Sequence, residues 1–293
     1  MPSAQDIARA PRGELTPPRA SLIRRAALAL APTFRYWMQT EVHVYCFSVA
    51  ANVLLSFFPF LIVTMSLSRL LFDEQTAVSA VDLALRNYFP DALGTFLHNN
   101  LPSRGHTELV SMIVLMFTAN GIFEPLEVAL NRVWGIRKNR NFFHNQLVSL
   151  WLVFACGGLA LASMTLTAVN LRGGGAAWLT ALFFEVAAIP LAVSVLFLVY
   201  RFVPNGRPPL SRVVPAAIAV GLLMEALKYV NALLWPWFHR RLAREYGVFR
   251  YSATLIFLGF LASMLVLAGA EWSARGYRLD KKMDRFTGDI PQV

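Results

Sequence analysis

Eight polar side chains fall inside, or at the edge of, stretches that are otherwise apolar: Asn52, Asn120, Glu124, Glu127, Glu185, Glu225, Lys228 and Glu271. In such surroundings, carboxylates and an amine can do one of two things. They can pass a proton or hold the polar part of a substrate within a bilayer, or they can bind one another and lock helices together. A charge in hydrocarbon is costly, so each needs a partner or a water-filled cavity. Glu225 and Lys228 are three residues apart, within reach on one helical face. If the apolar stretches around residues 176–200 and 213–238 are antiparallel spans, Glu185 and Lys228 both lie about 4 Å to the outer side of the centre, at a rise of about 1.5 Å per residue. Lys228 is therefore expected to be neutralised by Glu225, Glu185 or both. By the same rise Glu124 and Glu127 lie roughly 10 Å or more from Lys228 along the normal. They are better placed for Arg132 or Arg137. Asn231 adds a further amide.

Enzymatic signals are weak. The five histidines, His43, His98, His106, His144 and His239, have no metal-binding spacing. There is no phosphate-binding Gly-rich loop ending in Gly-Lys-Ser/Thr, no His-Glu-x-x-His and no Gly-x-Ser-x-Gly. Cys46 and Cys156 sit singly in apolar runs and read as reduced packing residues. No catalytic, cofactor-binding or metal-binding residue is assigned, no cofactor is expected, and the chain is not expected to be an enzyme.

The elements that carry the polar residues follow from composition. Of the 293 residues 56% are hydrophobic and 15% charged, with a mean hydropathy of +0.50. A soluble domain carries about 25% charged residues, so lipid is the simpler solvent. A spanning helix needs about 20 apolar residues. Six stretches qualify, at 42–72, 109–131, 147–171, 176–200, 213–238 and 249–271. Their length and continuity exclude a barrel of short alternating strands. The expected fold is all-α, a six-span bundle over 21–278. Amphipathic helices are expected before the first span and in the first extracytoplasmic loop, where Val78, Val81, Leu85 and Tyr88 recur at helical spacing. Residues 1–20 and 279–293 are expected to be tails, the first disordered. No cleavable signal peptide is visible, so the first span is expected to remain as an anchor.

The net charge of +10 is not a nucleic-acid signal, because the basic residues cluster at the ends of apolar segments. Eighteen Lys and Arg residues fall on the side of the N-terminus and eight on the other. That places both termini in the cytoplasm of a bacterial-type inner membrane. Arg240, Arg241 and Arg244 run against this rule, and anionic head groups or another protein could answer them. Arg172–Gly175 reads as a tight turn. Pro59, Pro125 and Pro190 fall within spans, where each can kink its helix. Trp235 to Phe238 reads as an aromatic belt. Gly157, Gly158, Ala162, Gly259, Ala262 and Ser263 read as small residues for close helix packing.

Five segments then form a recognisable series: FSVAANVLLSFFPFLIV from Phe47, ALNRVWGIRKNRNFF from Ala129, YRFVPNGRPP from Tyr200, EALKY from Glu225 and AGAEW from Ala268. In this order they resemble the YihY/BrkB family of inner-membrane proteins, once labelled ribonuclease BN, over roughly residues 25–280. The family usually has tyrosines where Ala51 and Asn52 stand. The resemblance implies six spans with cytoplasmic termini and no defined reaction. Its links to serum resistance and to envelope lipid or lipopolysaccharide export imply transport. The ribonuclease label is unsupported, since clustered His and Asp ligands are absent from the sequence. The expected activity is movement of an envelope lipid or other amphiphile without an ATPase of its own. The alternatives are a scaffold for envelope proteins, docking through Asp73–Glu108, and, further off, a lipid-modifying enzyme. The expected partners are membrane lipids and other envelope proteins, not nucleic acid.

Overall fold

The computed structural model describes residues 22–71, 106–136, 140–172 and 177–288, and among these the regular structure is helical throughout. α1 runs Leu22–Trp37, α2 Thr40–Leu71, α3 His106–Trp134 and α4 Phe142–Arg172. α5 runs Ala177–Phe202 and α6 Leu210–Tyr246, and after a single 3₁₀ turn, Gly247–Phe249, α7 runs Arg250–Gly288. The tail expected from residue 279 is thus helical as far as Gly288. The tails at 1–20 and 289–293, the segment with Val78 to Tyr88 and the turn at 173–175 lie outside the described residues, as does Arg137.

Among the described residues four helices are long and apolar enough to cross a membrane: Thr40–Ser66, Val110–Trp134, Leu210–Tyr246 and Arg250–Arg275. α4 and α5 contribute shorter apolar stretches within the described residues, Phe143–Leu159 and Ile189–Phe202. The helices continue through Pro59, Pro125 and Pro190, and through Pro32, Pro215 and Pro236 as well. α6, with 37 residues, is longer than its apolar stretch. At about 1.5 Å per residue it measures roughly 55 Å, against a hydrocarbon core of about 30 Å. It must tilt, or carry its last turns beyond the apolar layer.

α2, α3 and α7 pack against one another in a triangle, and α4, α5 and α6 form an arc that joins α3 back to α7. The packed core lies at one end of this bundle. It is built from the start of α2 (Val42, Cys46, Val49), the end of α3 (Leu130, Val133), the end of α5 (Val199, Tyr200), the start of α6 (Val213, Ala217) and the middle of α7 (Leu267, Ala270). This basal end is the side toward which the basic segments are biased. Leu55, Phe117, Phe154, Leu222 and Leu233 point outward from four different helices. An apolar surface of this kind on a bundle suits lipid.

Small residues set the closest approaches, as expected where helices associate without a hydrophobic drive between them. A Cβ on Gly259 would lie 3.3 Å from the Ala50 Cα, so α7 meets α2 almost backbone to backbone. A Cβ on Gly269 would run into Val220 Cγ2 and lie 2.6 Å from the Tyr200 hydroxyl, which donates to the Val266 carbonyl. Gly157 and Gly158 are different: a Cβ on either meets nothing within 4 Å, so the expected close packing there is not found among the described residues. Gly269→Val is expected to cost about 1–3 kcal/mol by overpacking. Gly157→Val is expected to change little. Thermal unfolding of the two variants in detergent checks the contrast.

α1 is the expected amphipathic helix before the first span. Leu30 and Phe34 follow the i, i+4 spacing, Met38 continues the line just past the helix end, and all three are exposed. The opposite side docks on α7, where the Trp37 indole donates to the Met264 carbonyl at 3.0 Å. Tyr36 packs against the core, and burial foremost, with Cys46 and Glu271 nearby, raises its phenol pKa well above the ordinary range. A helix docked on one side with an apolar stripe on the other fits the membrane interface.

Candidate functional site

Among the described residues the expected polar side chains do not converge on one centre; they form separate clusters. The first is central in α6. Lys228 is the middle residue of Leu210–Tyr246, and its Nζ lies 2.6 Å from Glu225 Oε2. The two side chains are only 9% and 17% exposed, so this is an enclosed ion pair. Lys228 also lies over the Tyr229 ring, 5.1 Å from its centroid. At about 100° per residue, Lys228, Asn231, Trp235 and His239 share one face. That face points inward: Lys228, Asn231 and Trp235 are buried, and the His239 ring stacks on Trp235 and lies 5.7 Å from Tyr251 of α7. Glu185 lies in α5, but its side chain, and with it the expected contact to Lys228, is outside the described residues.

The second cluster joins α3 to α4. Asn120 Oδ1 accepts from Asn145 Nδ2 at 3.2 Å and from Ser149 Oγ at 3.4 Å, and Asn120 Nδ2 donates to Glu124 Oε2 at 3.4 Å. One amide thereby ties two helices. Glu124 itself is exposed and does not line an interior, because its position falls on the outer face of α3. Asn52 of α2 donates to the Ser48 carbonyl and packs on the bare backbone at Gly121, where a Cβ would run into Asn52 Oδ1.

The third cluster closes the basal end. Glu127 Oε1 accepts from Asn131 Nδ2 at 3.2 Å and from the Arg140 backbone N–H at 3.0 Å, and the Arg140 guanidinium lies 3.7 Å from Glu127 Oε2. The same guanidinium donates to the carbonyls of Phe202, Val203 and Pro204 at 2.9, 2.6 and 2.9 Å. Asn131 Oδ1 accepts from the Asn205 N–H at 2.7 Å. The last carbonyls of a helix have no intrahelical partner. Arg140 supplies one for the end of α5, with a positive charge where the helix dipole favours it. The expectation that Glu124 and Glu127 would answer Arg132 is therefore corrected, while Arg137 lies outside the described residues. Arg132 pairs with Glu41 at the exposed start of α2, and Glu127 belongs to Arg140. The chain turns back after α3, which brings a loop arginine closer than one on the helix.

The fourth cluster fixes α1. Arg275 pairs with Glu271 through Nε (3.1 Å) and Nη2 (2.6 Å), and Thr33 Oγ1 lies 2.8 Å from Glu271 Oε2. Glu271 is thus a docking residue and not part of a shared polar interior. Glu271→Gln is expected to loosen α1 by weakening this charge-assisted set. Faster proteolysis near Trp37, with the bundle intact, is the readout.

Among the described residues no group of three or more His, Cys, Asp or Glu side chains could hold a metal. Sequence reasoning missed Arg140, Asn131, Asn145, Ser149, Thr33 and Arg275. Spacing could have found Asn131 and Arg275, each four residues after a buried glutamate, and the Asn145/Ser149 pair on one face of α4. Nothing local could have found Thr33, whose partner lies 238 residues away.

The model of the virulence factor BrkB family matches residues 33–285, nearly the whole of the described bundle. The chain belongs to the BrkB family. Among the relatives of this BrkB-family chain is a UPF0761 membrane protein of Chlorobium chlorochromatii, 26% identical over 245 residues, covering 77% of this chain and 54% of the relative. One from Pseudomonas aeruginosa is 28% identical over 203 residues, covering 63% and 47%. One from Aromatoleum aromaticum is 25% identical over 246 residues, covering 78% and 58%. The chain thus spans about half the length of the curated relatives it matches. No solved structure matches it. The family, these relatives and the apolar helices together make it a multi-pass membrane protein.

Proposed function

We propose that this chain is a six-span protein of the bacterial inner membrane, with the basal end and both termini in the cytoplasm, that moves an envelope lipid or similar amphiphile across the bilayer. It does so without an ATPase of its own. The observation that carries this reading is the Glu225–Lys228 ion pair, held at the middle of a spanning helix and on its inward face. Both partners sit on one helix, and such an enclosed pair is an expensive structural element, because desolvation offsets most of its Coulombic gain. Intramembrane ions more often mark a path for a polar group. Asn231 and His239 extend the same face toward the far end of α6. That gives a head group successive polar partners while its chains stay in lipid. The packed basal core and the Arg140 clasp would hold that end closed.

The test is reconstitution of the purified full chain in liposomes carrying a fluorescent phospholipid. Protection of the inner-leaflet probe from a membrane-impermeant quencher should be lost faster than in empty liposomes. Equal rates, with the protein shown to be folded and inserted, would overturn the proposal.

A further inference from the structure

We infer that the end of α6 carries a binding site for an anionic phospholipid, on the side of the helix opposite the Glu225–Lys228 face. At about 100° per residue, Val230, Leu233, Trp237, Arg240, Arg241 and Arg244 fall within an arc of about 100°. This arc is diametrically opposite Lys228, Trp235 and His239. All six are exposed, Leu233 at 80% and Trp237 at 63%. They are ordered by chemistry along the helix axis, first aliphatic, then indole, then guanidinium. That is the order met on passing from the middle of a bilayer to its head groups, with indoles favoured at the interface.

The length agrees. From Val230 to Arg244 is about 21 Å at 1.5 Å per residue, close to half of the roughly 40–45 Å thickness of a bilayer with its head groups. A single leaflet lipid fits along this stripe, its acyl chain on Val230 and Leu233 and its phosphate among the arginines. The charge is in place for it. Arg240 spends its Nε on the Pro236 carbonyl at 2.8 Å, which orients the two terminal nitrogens. Arg241 is paired with Glu245 at 2.6 Å and is partly neutralised. Arg244 has no carboxylate partner among the described residues. Guanidinium nitrogens recognise phosphate oxygens through paired hydrogen bonds. The stripe also accounts for three arginines on the side where the charge bias argues against them.

The inference goes beyond the proposed transport and does not depend on it, since a bound lipid can be structural. The test is retention of lipid by the full chain in detergent. Phosphatidylglycerol and phosphatidylcholine are added in equal amounts and read by native mass spectrometry. Wild type should retain phosphatidylglycerol preferentially. The variant R240Q/R241Q/R244Q should lose that preference by about thirtyfold, reckoned from two effective arginines at a head-group surface. R35Q/R132Q/R207Q removes the same charge elsewhere and should keep it. Equal retention of the two lipids by wild type, or an unchanged preference in the first variant, would overturn the assignment. The substituted residues are exposed, so folding is preserved and checked by gel filtration. A failed lipid-movement assay alongside preferential retention would count against transport alone.

Discussion

Replacing Arg140 by methionine is expected to open the basal end of the bundle and to cost about 3–5 kcal/mol, the usual penalty for leaving one partner of a buried pair alone. The Glu127 side chain is 4% exposed and would lose its cation. Three carbonyls, those of Phe202, Val203 and Pro204, would lose their donor in the same step. Arg140→Lys keeps the charge but not the fork, because one ammonium cannot serve three carbonyls and a carboxylate in this geometry. It is expected to recover only part of the loss. Adding Glu127→Gln to Arg140→Met removes the stranded charge while leaving the carbonyls unmet, so it too should rescue in part. Cys46, fully buried among the core residues at this end, provides the readout. Its thiol should be slow to alkylate in wild type and fast in Arg140→Met, with the other two variants between. Equal alkylation in all four would mean that the clasp does not hold this end.

The second large effect is expected at Lys228. Lys228→Met strands the Glu225 carboxylate beside the middle of a spanning helix. Removing one partner of a pair so enclosed again costs about 3–5 kcal/mol. Glu225→Gln added to it removes the stranded charge, and a neutral pair in such a place is often as stable as the ionic one. The single variant should therefore unfold at lower temperature or denaturant, and the double variant should return close to wild type. If the pair were only a fastener, lipid movement would return with stability. With the pair as part of a lipid path, stability returns and movement does not.

The sequence made much of this molecule legible, and the reasons are physical. Apolar runs fix where spanning helices lie, because hydrocarbon accepts no unpaired backbone. Among the described residues four of the six expected stretches accordingly lie on helices long and apolar enough to span, α2, α3, α6 and α7, and the other two lie along α4 and α5. The Glu225–Lys228 contact was readable because its partners share one helix face. Helix ends were less legible. α6 extends through Arg240–Tyr246, where polarity ends an apolar run but not a helix. Pairings between elements were not legible. Arg140 reaches carbonyls 62 to 64 residues away, and no periodicity encodes that approach. The reading of Glu124 as an interior residue failed for a related reason: depth in the membrane follows from position along a helix, whereas facing depends on which neighbours the helix finds.

In the lipid path we propose, the Glu225–Lys228 pair is the working part. The most direct test is transbilayer lipid movement in liposomes holding the folded E225Q/K228M variant, beside wild type at the same protein density. Wild type is expected to speed the movement, and the variant to match protein-free liposomes. A variant as fast as wild type would contradict that role, leaving the pair as a structural element of α6.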